Sequence, residues 1–180
     1  MGYAVELFFD NESTLFVTRF CNVLAKRLEK PSLSDRDIRP HVSLAVYDDG
    51  LNVEEFEEKL HKFAKSVEPF EFCLNSVGTF PGNQGVVYLA PIVSQKLLTV
   101  HKEFHQHLKI FETFAMTHYY PNFWVPHCTV TININPAEIA QAITLSRAKL
   151  EPIPGSFQEI ALVEFPPVKE LLVFKLGSNL

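Results

Sequence analysis

Two short stretches carry residue types that can move protons beside a phosphate. Residues 39–49 read "RPHVSLAVYDD" and residues 126–132 read "PHCTVTI". Each has a proline, a histidine, one intervening residue, a hydroxyl residue and then an apolar, β-branched run. Such a run predicts a strand, and side chains two apart on a strand share a face. His41 and Ser43 are therefore expected to leave the sheet together, with Leu44 and Val46 on the opposite face. The same spacing holds for His127 and Thr129. One such pair is most simply an edge histidine beside a hydroxyl. Nineteen residues are Ser or Thr and seven are His, so two His-x-Ser/Thr pairs by themselves are unremarkable. The shared proline, the shared strand and the matching place in the chain favour a functional pair over two structural histidines.

The chemistry such a pair can do is direct. Histidine titrates near neutrality, so one copy can be neutral while the other is protonated. The neutral imidazole takes a proton from an attacking oxygen and the protonated one gives a proton to the leaving oxygen, a contribution of about 10²–10⁴-fold in rate. A hydroxyl beside each imidazole can donate to a non-bridging phosphate oxygen as its charge grows. Two histidines and two hydroxyls around one anion fit phosphodiester cleavage without a metal. Nothing near Ser43 resembles the strained G-x-S-x-G turn of a serine nucleophile, which disfavours that role.

The elements that must position these residues follow from periodicity. Residues 3–9 read as a strand and 14–28 as a helix with Phe16, Phe20, Val23, Leu24 and Leu28 at helical spacing. A connector rich in proline and charge, 31–40, leads to the His41 strand. Residues 53–67 form the clearest amphipathic helix. Strands are expected at 70–80 and 85–92, and a helix from Leu97 to Phe111. "YYPNF" breaks the chain before the His127 strand. Asn135 and Pro136 supply an N-cap and N1 proline for a helix to about residue 150. Strands 157–165 and 168–176 flank Pro166-Pro167 as a hairpin. The order strand, helix, Pro-His strand, helix, strand occurs from residue 3 and again from residue 85. This suggests one domain, 1–180, of two pseudo-symmetric lobes that each offer a histidine to a shared cleft.

Composition narrows the function classes. A chain of 180 residues with 47% hydrophobic and 21% charged residues is an ordinary globular one, and sixteen phenylalanines predict an aromatic core. The net charge of −5 argues against holding long nucleic acid by phosphate contacts, though not against a local pocket for one phosphate. Cys21, Cys73 and Cys128 show neither disulfide-framework nor metal-ligand spacing and suit reduced thiols in a cytoplasmic protein. The opening "MGYAVELFF" has no secretory n-region, and no apolar run is long enough to span a bilayer. Met-Gly fails as a myristoylation signal because Glu6 stands where Ser or Thr is required.

His41-Val42-Ser43 and His127-Cys128-Thr129 resemble the paired signatures of the two-histidine (2H) phosphoesterase superfamily. The flanks "GYAVELFFD", "FPGNQGVVYLAP", "WVPHCTVTI" and "ALVEFPPVKELLVFKLG" are similar to its RNA ligase / cyclic nucleotide phosphodiesterase-like branch, plant members included, over nearly the whole chain. The resemblance implies an α+β bilobal fold, with two antiparallel sheets facing a central cleft and helices outside. It implies metal-independent hydrolysis of 2′,3′-cyclic phosphates or 2′,5′-linked nucleotides, with no cofactor. Carried over, His41 and His127 become the acid/base pair and Ser43 and Thr129 the phosphate ligands. Leu44 and Val130 meet the family's requirement for an apolar residue after the hydroxyl. A small nucleotide or short RNA is the expected substrate, and a monomer with no membrane association the expected state. The rival reading is a nucleotide-binding module of the same fold that turns nothing over.

Other residues invite roles. Trp124 and Tyr120 precede the second motif and are candidates to stack on a base; core packing is the plain alternative for both. Arg39 could reach a phosphate or remain a solvated loop residue. His101 and His105 stand one helical turn apart in "HKEFHQH", but the Glu of a zinc-protease helix is one place late, and a partly buried helix face is the expectation.

Overall fold

Local sequence accounts for most of the elements. The structure, a computed structural model, describes residues 1–178. Strand β1 (Gly2–Phe9) leads into helix α1 (Asn11–Leu28), which Asp10 caps by accepting the Ser13 N–H at 2.8 Å. Strand β2 (His41–Tyr47) follows, then helix α2 (Val53–Ser66), strands β3 (Phe70–Thr79) and β4 (Val87–Pro91), and helix α3 (Gln95–His107). Strand β5 (Cys128–Thr131), helix α4 (Pro136–Lys149) and the hairpin β6 (Ile153–Phe165) and β7 (Lys169–Lys175) complete the chain. Asn135 and Glu138 form a full capping box on α4, with Pro136 at N1. Helix α3 ends earlier than its pattern suggests. Residues Lys109–Phe114 tighten into a 3₁₀ turn, and the chain then leaves to bond β2, through Asp48 N–H to Phe114 O at 2.9 Å and Met116 N–H to Val46 O at 2.8 Å.

All seven strands join one antiparallel sheet of order β2-β1-β6-β3-β4-β5, with β7 also on β6. The two expected sheets are thus wings of one sheet, joined through β6. Along one edge of that strand, residues 153–157 pair with β3 and residues 159–164 with β7, while β1 runs along the other edge. The internal repeat is not established by this topology. The halves share β6, and the 3₁₀ turns between helix and histidine strand differ, one at Ser34–Arg36 in the first half and two, Lys109–Phe114 and Thr117–Tyr119, in the second. Strands β2 and β5, at opposite ends of the sheet order, come into contact with each other, so the sheet curls until its ends meet. Helix α1 packs on β5, β6 and β1, α4 on β3 and β4, and α2 on β7.

Alternation along β1 divides two faces. Tyr3, Val5, Leu7 and Phe9 join the main core, while Phe8 joins a small separate cluster with Ala161 and Val163. Along β2 a register slip at Leu44 interrupts the alternation, so Val42, Leu44, Ala45 and Tyr47 join the main core and Val46, expected on the face of Leu44, does not. The phenylalanines fill the main core as expected: the rings of Phe9 and Phe72 lie 4.5 Å apart, and Phe157 packs between Phe70 and Phe72 at 4.9 and 4.7 Å. Gly85, at φ +55°, holds the β4 entrance against the chain after β5. A Cβ there would meet Ile134 O at 1.8 Å.

Candidate active site

His41 opens β2 and His127 stands immediately before β5, so each imidazole sits where an extended segment enters the sheet. Both motif strands carry the same irregularity. In β1–β2 the register slips so that Glu6 faces Ser43 and Val5 faces Ala45, leaving Leu44 without a partner. In β4–β5, Tyr88 faces Thr129 and Val87 faces Thr131, leaving Val130 unpaired. Each bulge falls on the residue after the motif hydroxyl, a place where bulges re-aim neighbouring side chains. The two motifs also meet. The Cys128 thiol contacts the His41 main-chain N–H, and burial raises that thiol far above its ordinary range. Thr129 lies against Arg39 and Pro40 in a small crevice.

The imidazoles are held alike. Nδ1 of His41 lies 2.7 Å from Arg39 O, and Nδ1 of His127 lies 2.7 Å from Val125 O. A carbonyl only accepts, so each Nδ1 carries a proton and only Nε2 is left to change state. Their surroundings differ. Nε2 of His41 lies 3.4 Å from Oε1 of Glu6. Glu6 is 8% exposed, and burial pushes its carboxyl above the usual carboxylate range against the opposing pull of His41. The His127 ring is flanked by Phe80 at 4.9 Å and Tyr88 at 5.3 Å. Burial lowers its proton affinity, the bond to Val125 O opposes this, and the charge of His41 adds to the lowering. Gly78 makes room for Tyr88: a Cβ there would meet the phenol oxygen at 2.6 Å.

A cleft of about 730 Å³ opens on the His41 side, lined by Glu6, Phe8, Arg39, His41, Phe165 and Glu170 among others. That volume suits a drug- or nucleotide-sized ligand. Among the described residues its walls do not include His127, so the single shared cleft expected from the sequence is met on one side only. Arg39 is not a solvated loop residue. Its guanidinium lies 3.9 Å over the Phe8 ring and bridges Glu159 at 2.9 Å and Glu170 at 3.3 Å.

Trp124 and Tyr120 stand elsewhere. The Trp124 indole N–H donates to Ser43 O at 2.9 Å, and its ring lies flat on His101 at 3.8 Å. His105 donates to Leu44 O at 3.3 Å and Met116 N–H to Val46 O, so this segment covers the free edge of β2. The Tyr120 hydroxyl donates to Glu112 O at 2.7 Å, and neither ring lines the cleft. His101 is buried and donates to Tyr119 O at 2.9 Å. Among the described residues no group of three or more His, Cys, Asp or Glu side chains could hold a metal ion. The residues that sequence reasoning missed are Glu6, Phe80 and Tyr88. Glu6 and Tyr88 had one signal, a place on strands that pair with the motif strands, whereas Phe80 follows β3, which pairs with neither, and had none.

The family model of the 2′-5′ RNA ligase superfamily matches residues 17–166. The chain belongs to that superfamily. Its family is the two-histidine phosphoesterase one that the motifs resemble. The fold is similar to that of TT0787 of Thermus thermophilus, at 15% identity and a TM-score of 0.66, over 99% of this chain and 100% of that one. It is also similar to E. coli LigT complexed with 3′-AMP, at 13% identity and a TM-score of 0.62, over 98% of each chain. No curated protein matches the chain by sequence. No helix among the described residues is long and apolar enough to cross a membrane.

Proposed function

We propose that the protein is a metal-independent phosphodiesterase that opens 2′,3′-cyclic phosphates, or cleaves 2′,5′-linked nucleotides, by acid–base catalysis between His41 and His127. One observation carries the reading. Both imidazoles fix Nδ1 to the carbonyl two residues earlier and present Nε2, on strand ends that touch. That duplication suits two proton transfers on one small anion. Water attacks phosphorus as one Nε2 removes its proton. The bond from phosphorus to a ribose oxygen breaks, and the other Nε2 protonates that oxygen, leaving a phosphomonoester. Ser43 and Thr129 donate to the non-bridging oxygens. The rings of Phe80 and Tyr88 beside His127 are the candidates to stack on a base, in place of Trp124 and Tyr120. That E. coli LigT was solved with 3′-AMP agrees with a nucleotide-sized ligand on this fold.

The test is turnover of a panel of 2′,3′-cyclic and 2′,5′-linked nucleotides, with and without EDTA. Turnover that survives chelation is expected. Binding without turnover would leave a nucleotide-binding module. Activity lost to EDTA and restored by Mg²⁺ or Zn²⁺ would overturn the metal-free mechanism.

A further inference from the structure

The two histidines are held alike at Nδ1 and differently at Nε2, and the difference has a single source. Across the bulged ladders, Glu6 and Tyr88 hold corresponding places, each directly opposite the motif hydroxyl of its wing. One wing therefore sets a carboxylate against its imidazole and the other sets a phenol ring there. We infer that Glu6 is a positioning residue that keeps a proton on Nε2 of His41, so that His41 is the acid and His127 the base. The inference rests on the phosphodiesterase reading for its catalytic meaning, but not for the pairing itself.

The argument is one of proton count. Nδ1 of His41 spends its proton on Arg39 O, so a neutral His41 would leave a bare lone pair at Nε2, 3.4 Å from Oε1 of Glu6. An ionised Glu6 also presents only lone pairs. The two stand 3.4 Å apart with Glu6 8% exposed, so an ionised Glu6 beside a neutral ring would be a buried charge without a counter-charge; burial alone would move the proton to Glu6, and the pull of His41 opposes this. Arg39 pulls Glu6 in the same direction but less strongly than His41, because Glu159, Glu170 and the Phe8 ring hold its guanidinium. The other groups within electrostatic reach of Glu6 are Glu170 on β7, Tyr119 in the turn before β5 and Cys128 on β5. None of them is a cation that could replace the proton. At His127 no carboxylate stands in the corresponding place, and burial among Phe80 and Tyr88 favours the neutral ring. His127 then takes the proton of the attacking water, and His41 gives the shared proton to the departing ribose oxygen. Solvent afterwards removes the first proton and returns the second. Holding the proton has His41 charged when substrate arrives, as a general acid must be.

The experiment pairs kinetics with a readout that needs no turnover. In ¹⁵N-histidine-labelled full-length protein near neutral pH, Nε2 of His41 should be protonated and Nε2 of His127 bare, and Glu6→Gln should strip the proton from His41 alone. With a 2′,3′-cyclic mononucleotide, Glu6→Gln should lower kcat by about 10-fold or more, with KM within about twofold. The alkaline limb of the pH profile should move to lower pH, since loss of the carboxylate lets the acid deprotonate earlier, and Glu6→Asp should move it back. An unchanged His41 signal in Glu6→Gln would overturn the pairing. If Glu6→Gln fails to fold, the parent decides: Nε2 of His41 losing its proton before Nε2 of His127 as pH rises would overturn it equally. A parent that shows the pairing by NMR but opens no cyclic phosphate would sink the phosphodiesterase reading and leave the Glu6–His41 pair standing.

Discussion

At the scale of single residues, the proposed mechanism divides proton transfer from charge binding. His41→Ala and His127→Ala should each lower turnover of a cyclic nucleotide by about 10²-fold or more. The double variant should be little worse than either single one, because in the proposed mechanism the two imidazoles act as a unit and such losses do not add. Ser43→Ala and Thr129→Val remove one donor each and should cost on the order of 10- to 100-fold. Steady-state kinetics on all five proteins, with circular dichroism as the folding control, checks this. A folded His127→Ala that keeps the parent rate would remove the second motif from the mechanism. These four candidates could be named from the sequence because type and spacing alone pick them out. Glu6 could not. In the sequence it is one acidic residue in an apolar strand, noticed only for breaking a lipidation motif. Its meaning comes from the register that sets it opposite Ser43 and beside the His41 ring.

At the scale of elements, the edge of β2 shows how a segment distant in sequence supports the first motif. Trp124, His105 and Met116 donate to the carbonyls of Ser43, Leu44 and Val46 in turn. Trp124→Phe keeps a ring on His101 but leaves Ser43 O without its donor, a loss of about 1–3 kcal/mol. We expect a Tm lower by several degrees, a modest fall in kcat and an unchanged KM. A raised KM with an unchanged Tm would instead return Trp124 to the role of base platform. The helices and strands around this edge were readable from periodicity, caps and prolines, and their limits fall within a few residues of the pattern. The end of α3 was not readable, because residues 109–116 answer to hydrogen bonds with β2 more than to their own apolar spacing. The union of the two wings escaped for a similar reason. The pattern of β6 marks it as a strand but cannot say that its two ends pair with different partners along one edge.

At the scale of the whole molecule, α3 and the 3₁₀ turns after it cover the β2 end of the curled sheet, and His101 is a buried polar group within that cover. It stacks on Trp124 and donates to Tyr119 O, and burial followed by the charge of His105 lowers its pKa to about 4 from the ordinary 6.5. Burial lowers His105 in the same direction. An unfolded chain therefore takes up a proton at His101 below about pH 6.5, while the folded one resists until about pH 4. Between those values the unfolded state binds more protons, so stability falls as the medium is acidified. Asp10 acts in a lower window. Burial raises its pKa, but hydrogen bonds from Ser13 and Ser156 outweigh this and leave it below the ordinary 3.8, so its contribution is lost only under stronger acid. Thermal melts at pH 7 and pH 5 should therefore show a clear drop in Tm for the parent. His101→Gln keeps an N–H donor but has nothing to titrate. It should melt lower at pH 7, for want of the stacked ring, yet lose less on going to pH 5. An equal drop in parent and variant would place the acid sensitivity elsewhere and leave His101 without a part in it.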